Sequence, residues 1–188
     1  MGRLLFSTSV SLDGYTVDAS SSFDWAAPDD DVHAFINRRE RAVGTYLFGR
    51  RMYETMRVWD DLPGPGDAPV VGAFADVWRD IDKVVYSSTL PAVEMARSRI
   101  ERTFDPVVVR ALVETSERDV SVGGPTLAAA AFRAGLIDEV SLFVVPVSVG
   151  GGTPALPRAL RLRLDLLEER SFPGGTVLLR YRVNGSAG

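Results

Sequence analysis

Three short stretches of this 188-residue chain place glycine, arginine or hydroxyl side chains where a strand-like pattern stops, in two of them just where a helix-like pattern starts. Gly123-Gly124-Pro125-Thr126 follows the alternating segment Asp119–Val122 and precedes Leu127 and an alanine run, Ala128–Ala131, that reads as a helix. A helix start exposes backbone N–H groups at the positive end of its dipole, and glycine lets a bulky anion approach without meeting a Cβ. Pro125 suits the first helical position, and Thr126 adds a hydroxyl at the same rim. Gly-Gly also makes a plain tight turn, so this stretch alone leaves both readings open. Gly49-Arg50-Arg51-Met52-Tyr53-Glu54 repeats the arrangement with two guanidiniums, whose planar forks suit phosphate, although exposed arginines also pair with acids. Tyr86-Ser87-Ser88-Thr89-Leu90 ends a third strand pattern in three hydroxyls. In open α/β sheets ligands gather beyond the carboxyl ends of strands, so three such ends lining one groove point to a ligand with several phosphates, such as a dinucleotide.

The elements that must carry these stretches are legible from periodicity. Arg3–Val10, Thr45–Gly49, Lys83–Ser87 and Asp119–Val122 read as strands, and Val140–Val149 as a long apolar one. Helices are expected after Pro28 and three aspartates, over Arg50–Arg57, around Ala73–Ile81, and through Glu114 behind a cap at Asp105 and a first-turn Pro106. Acids at Asp29, Asp30 and Asp31 complement the dipole of the helix they open. Residues 94–104 fit helix or strand equally, and Leu162–Phe172 with Thr176–Val183 make a closing hairpin across Pro173-Gly174-Gly175. Alternating strands and helices followed by a hairpin predict one α/β domain, with a mostly parallel sheet and an antiparallel edge.

Composition removes several functions. The formal charge is −4, and the 21 Lys and Arg residues, of which Lys83 is the only lysine, form no basic stripe for a nucleic acid. There is no cysteine, which excludes disulfides and thiolate chemistry and fits a cytoplasmic protein. His33 is the only histidine, so no metal site is expected, and the imidazole reads as an ordinary helix residue. No apolar run approaches membrane-spanning length, and the amino terminus opens on a strand pattern rather than a signal peptide.

In order along the chain, Ser11-Leu12-Asp13-Gly14-Tyr15, Trp25 with Pro28–Asp31, Gly49–Glu54, Val84–Leu90, Val120–Leu127, Ile137–Gly152 and the closing hairpin resemble the dihydrofolate reductase-like superfamily, in particular its riboflavin-biosynthesis reductase branch. The resemblance implies a three-layer α/β/α fold of that type over residues 1–188, NADPH as hydride donor, and a homodimer paired through a sheet edge; the apolar strand Val140–Val149 fits such an edge and burial within one subunit alike. Gly49, Arg50, Arg51, Ser87, Ser88 and Thr89 would then hold the adenosine 2′-phosphate end. Gly123, Gly124, Thr126 and Leu127 would hold the pyrophosphate. It further implies a heterocyclic substrate framed by Asp13, Tyr15, Trp25, Phe35 and Trp59, and places Asp30 where a carboxylate assists protonation of the ring nitrogen. The same aspartate is explained without catalysis as a helix-start acid. Two departures stand out: Met52 replaces a threonine that contacts the phosphates, and Tyr15 replaces the lysine usual in riboflavin-pathway reductases. The activities implied are therefore reduction of a pterin or of an aminopyrimidine such as 5-amino-6-(5-phosphoribosylamino)uracil. The alternative is a nucleotide- or flavin-binding protein that keeps the fold without turnover.

Overall fold

The computed structural model describes residues 1–64 and 66–186. Six parallel strands form most of one sheet: β1 (Leu4–Ser11), β3 (Val43–Gly49), β4 (Asp82–Tyr86), β5 (Ser98–Glu101), β6 (Asp119–Gly123) and β7 (Glu139–Val145). The hairpin β9 (Leu162–Ser171) and β10 (Val177–Ser186) adds antiparallel to β7, giving the order β5-β4-β3-β6-β1-β7-β10-β9. A separate two-stranded ribbon pairs β2 (Tyr15–Asp18) with β8 (Gly152–Pro154).

Five helices cover the sheet because each parallel connection must cross back over a face. Alternation along each strand splits the core. Leu47, Val84, Val120 and Val122 face α4 (Pro106–Thr115) and α5 (Pro125–Arg133), where Val109, Val113, Ala128, Ala131 and Phe132 close the layer. On the opposite face Phe48 and Val85 pack with Tyr53 of α2 (Arg50–Met56) and with Phe74 and Trp78 of α3 (Pro69–Asp80). Val32 and Phe35 of α1 (Asp30–Glu40) cover Phe143, Phe172 and Leu178 on that same side. Each fully buried valine, leucine or phenylalanine among them is worth about 1.5–3 kcal/mol. The three-layer arrangement expected from the sequence is therefore present.

Local chemistry sets the helix ends. Asp29 caps α1 by accepting from Val32 N at 2.9 Å, which leaves Asp30 and Asp31 in the first turn. Asp105 caps α4 through Val107 N at 2.8 Å, with Pro106 in its first turn as expected. The third helix begins at Pro69, four residues before the segment its periodicity marked, because proline is preorganised for a first helical position.

One expectation needs correction, one open alternative is resolved and one element is new. The apolar strand does not offer an edge: β7 ends at Val145 and is paired on both sides, by β1 and β10, so the sheet edges are β5 and β9. The ambiguous stretch 94–104 contains only the four-residue edge strand β5. The ribbon of β2 and β8 had no counterpart in the sequence reading. Among the described residues no helix is long and apolar enough to cross a membrane.

The only lysine is a core residue. Lys83 is 2% exposed, donates from Nζ to the carbonyl of Trp78 at 2.5 Å and lies 4.4 Å from that indole ring. Burial pushes its amine down to about 8 from the ordinary 10.5. A depressed lysine pKa means that the unfolded chain holds the proton more tightly, so this residue's contribution rises with pH through that window. Relative to Lys83→Met, the unmodified protein is expected to gain melting temperature as the pH rises from about 8 to 10.5. A difference independent of pH would contradict the assignment.

Candidate functional site

The tips of β4, β3 and β6 lie side by side because these strands are adjacent and parallel, with Gly49 opposite Tyr86 and Phe48 opposite Gly123. Each tip passes directly into one of the three stretches singled out above. Arg50 reaches across to the next strand end, donating from Nη1 to Thr89 Oγ1 at 3.2 Å, while its Nε donates to Glu54 Oε1 at 2.7 Å. Arg51 is exposed, and no acid pairs with it among the described residues. Ser88 and Thr89 are exposed at the rim.

Ser87 faces the other way. It is buried, and its Oγ accepts from the amides of Leu90 at 3.0 Å and Thr89 at 3.4 Å, closing the turn that presents its two neighbours. Arg102, which the sequence reading passed over, donates from Nη1 to the carbonyls of Ser87 at 3.1 Å and Leu90 at 2.7 Å. Only its place after β5 brings it to this turn, and its sequence neighbours carry no signal of that.

The glycine pair has two separate causes. A Cβ on Gly123 would sit 2.5 Å from Phe48 Cε1 and 3.2 Å from Met52 Cγ, so packing of the adjacent strand tip forbids one. Gly124 caps α5 at φ +87°, a conformation that disfavours side chains. Met52, which stands where a phosphate-binding threonine was expected, fills the space over both. No side chain caps α5, and Pro125 has no N–H, so the amides of Thr126 and Leu127 have no intrahelical acceptor. Thr126 is exposed, while Leu127 packs against the core. Gly49 differs from both: its φ of −77° is open to any residue, and a Cβ there would meet nothing within 4 Å. Apart from the mild preference for glycine at the N-cap of α2, the fold places no demand on that position.

A groove of about 420 Å³ runs along α5 from Pro125 and Thr126 to Arg133, walled opposite by Gly152–Pro154 and by Leu156, Pro157 and Arg158. A smaller depression of about 310 Å³, lined by residues including Arg41, Asp80 and Arg118, lies at the opposite ends of the strands, where Arg118 is already paired with Asp80 at 2.7 Å.

On the substrate side the residues divide. Tyr15 opens β2 with its amide bound to Ser11 Oγ at 3.0 Å, and Trp25 donates from Nε1 to the carbonyl of Ser22 at 3.3 Å. Both are partly exposed. Asp13 ties two loops together, accepting from Val149 N at 3.1 Å and Gly150 N at 2.7 Å. The Ser11 hydroxyl and those amides hold its carboxyl well below the usual carboxylate range. Its oxygens are thus engaged by the loop ahead of β8, which gives Asp13 a loop-tying role beside its expected one as a substrate contact. Phe35 is corrected: it is 7% exposed, packed against Phe143 and Phe172, with the Arg170 guanidinium 4.9 Å from its ring. Asp30 is exposed in the first turn of α1, so no apolar pocket surrounds it. His33, one turn on, is half-buried against Trp59 and Phe74, and burial lowers its pKa.

Comparison with known proteins agrees with this architecture. The profile of the RibD C-terminal domain matches residues 3–178. The chain belongs to that family. It is 25% identical over 193 residues to the uncharacterized protein YyaP of Bacillus subtilis, covering 97% of this chain and 96% of that one. It is 28% identical over 173 residues to the riboflavin biosynthesis protein RibD of Mycobacterium tuberculosis, spanning 85% of this chain but only 49% of RibD. Among solved structures, a putative riboflavin biosynthesis protein from Shewanella sp. PV-4 superposes with a TM-score of 0.74 at 18% identity, covering 98% of this chain and 99% of that one. A dihydrofolate reductase from Enterococcus faecalis, complexed with NADP(H), gives 0.61 at 13% identity with 97% of each chain covered. At these identities the structural likeness establishes the dihydrofolate reductase-like fold alone.

The Asp13 tie makes a prediction. Asp13→Ala should accelerate amide exchange at Val149 and Gly150 by at least about tenfold. Because the carboxyl is held low, the tie is complete above the ordinary carboxylate range and is lost only as the pH falls through its depressed value. In the unmodified protein, protection at these two amides should therefore persist down to about pH 4 after correction for intrinsic exchange. Protection lost near that pH would contradict the assignment.

Proposed function

We propose that this RibD C-terminal domain protein is an NADPH-dependent reductase whose cofactor lies across the tips of β4, β3 and β6. The observation that carries the reading is Gly49, a glycine that neither backbone conformation nor packing demands, bare toward open space beside Arg50 and next to the α5 start. A phosphate-bearing ligand gives that position a reason. Arg50 and Arg51 would meet the 2′-phosphate with Ser88 and Thr89 at the rim, and the amides of Thr126 and Leu127 would donate to the pyrophosphate. Bound NADPH supplies the hydride. The protein's own part is to orient the nucleotide and to hold a flat heterocycle near Tyr15 and Trp25.

The substrate is proposed as a heterocycle with a conjugated C=N or C=O. Tyr15 in place of a lysine weighs against the ribose-phosphate aminopyrimidine that riboflavin-pathway reductases take. The exposure of Asp30 favours one second reading, a nucleotide-binding protein without turnover, since a proton-donating aspartate needs an apolar surrounding to raise its pKa. Homodimer formation is proposed as well. The exposed outer edge of β9 is the open side of the sheet nearest the hairpin.

Calorimetric titration with NADPH, followed by NADPH-oxidation assays with dihydrofolate and with the riboflavin-pathway aminopyrimidine, separates these readings. Gly49→Ala should lower the melting temperature only slightly, because alanine is a poorer N-cap than glycine by about 0.5–1 kcal/mol, yet weaken NADPH at least about tenfold. Arg50→Ala should cost about 1.5–3 kcal/mol of NADPH binding, the loss of one charge-assisted contact. NADPH affinity unchanged in both variants would remove the nucleotide from these strand tips.

A further inference from the structure

We propose that the groove beside α5 is a second binding site, separate from the strand tips, which takes a phosphorylated small molecule with its phosphate group between Arg133 and Arg158. The inference stands on the groove itself and does not use the nucleotide reading. The groove leaves the tips at Pro125 and Thr126 and follows α5 to Arg133, about 10 Å along the helix axis at roughly 1.5 Å per residue. Its volume of about 420 Å³ falls within the roughly 300–1,000 Å³ of small-molecule sites.

Charge decides what such a groove takes. The chain carries a formal −4, yet among the described residues the groove's lining holds two arginines and no acid. Neither guanidinium enters an ion pair among the described residues. The depression at the far ends of the strands is the contrast, since there Arg41 and Arg118 are matched by Asp76 and Asp80. A local excess of positive charge on an acidic protein favours an anion at that place.

Arg133 alone has another explanation, because a cation in the last turn of α5 complements the helix dipole. Arg158 has no helix end to serve; it lies in the loop between β8 and β9. That loop is anchored. Ala155 is 3% exposed and donates from its amide to the carbonyl of Gly14 at 3.0 Å, while Leu156 and Leu160 pack on the core. Arg158 therefore stands on a fixed wall across the groove from α5. Thr126 and Thr153 add hydroxyls to the lining, and Leu156 and Pro157 add an apolar strip. Planar guanidinium forks and hydroxyl donors suit the several oxygens of a phosphate, and the strip suits the carbon skeleton attached to it.

The test follows the arginine Nε–H resonances of isotope-labelled protein at low ionic strength during titration with inorganic pyrophosphate, the probe for the phosphate group. Arg133 and Arg158 should shift together along one saturating curve. Arg133→Gln and Arg158→Gln should each weaken that binding at least about fivefold, the loss of a charge-assisted contact. Both side chains are exposed, so the melting temperatures of these variants should match that of the unmodified protein. Arg50→Ala should leave the curve at the groove unchanged. Shifts that never saturate and only parallel those of Arg110, an exposed arginine on α4, would reduce the effect to surface-charge screening and overturn the site. Movement of one of the two arginines alone overturns it as well. A curve weakened in Arg50→Ala would make the groove an extension of the strand tips and overturn its separateness.

Discussion

Parallel pairing of β4, β3 and β6 in one register is the constraint from which the site follows. A parallel strand can be re-entered only after the chain crosses a face of the sheet, so β3 and β6 hand on to α2 and α5 at the same edge, and the turn after β4 stands level with them. The spacing of the last two tips is then fixed by one tight contact. Phe48 on β3 lies where a Cβ on Gly123 would be, and Met52 covers Gly123 and Gly124 from α2. Any side chain at Gly123 would press the strand tips and the two helix starts apart. The bond from Arg50 to Thr89 links the remaining neighbour.

That constraint separates two uses of glycine that look alike along the chain. Gly123 and Gly124 are explained by packing and by backbone conformation, without any ligand. Gly49 is explained by neither, which is why it says more about a bound molecule than the conspicuous pair does. The same distinction applies to the hydroxyls after β4: Ser87 is spent on its own turn, and Ser88 and Thr89 are the ones presented outward.

The architecture was legible because alternation and helix-start chemistry act locally. The cap at Asp105, the hairpin after Leu162 and the strand-to-helix transitions at Gly49 and Gly124 all fall where short-range patterns put them. What was not legible depends on distant partners. Apolarity told that Val140–Val145 is buried, but an apolar strand is buried equally by two neighbouring strands, and β10 supplies the second from near the end of the chain. The ribbon of β2 and β8 comprises strands of four and three residues joined through glycines and the Asp13 tie, too short for a periodic signal. Phe35 has the spacing of a helix core residue and of a cleft residue alike, and only the arrival of Phe143 and Phe172 decides between them. Arg102 acts through partners that no motif marks.

The departures from the wider family now have physical content. Met52 turns a polar contact position into a packing one over the glycine pair, and Tyr15 begins a ribbon strand whose amide is already bound to Ser11. A nucleotide cradle retained beside an altered substrate side is the combination we propose for this chain. Amide chemical-shift mapping during a titration with NADP⁺ tests that directly. Gly49–Met52, Ser88–Leu90 and Gly124–Ala128 should move together along one saturation curve; shifts confined to one of these segments, or centred on Arg41, Asp80 and Arg118 at the far ends of the strands, would contradict it.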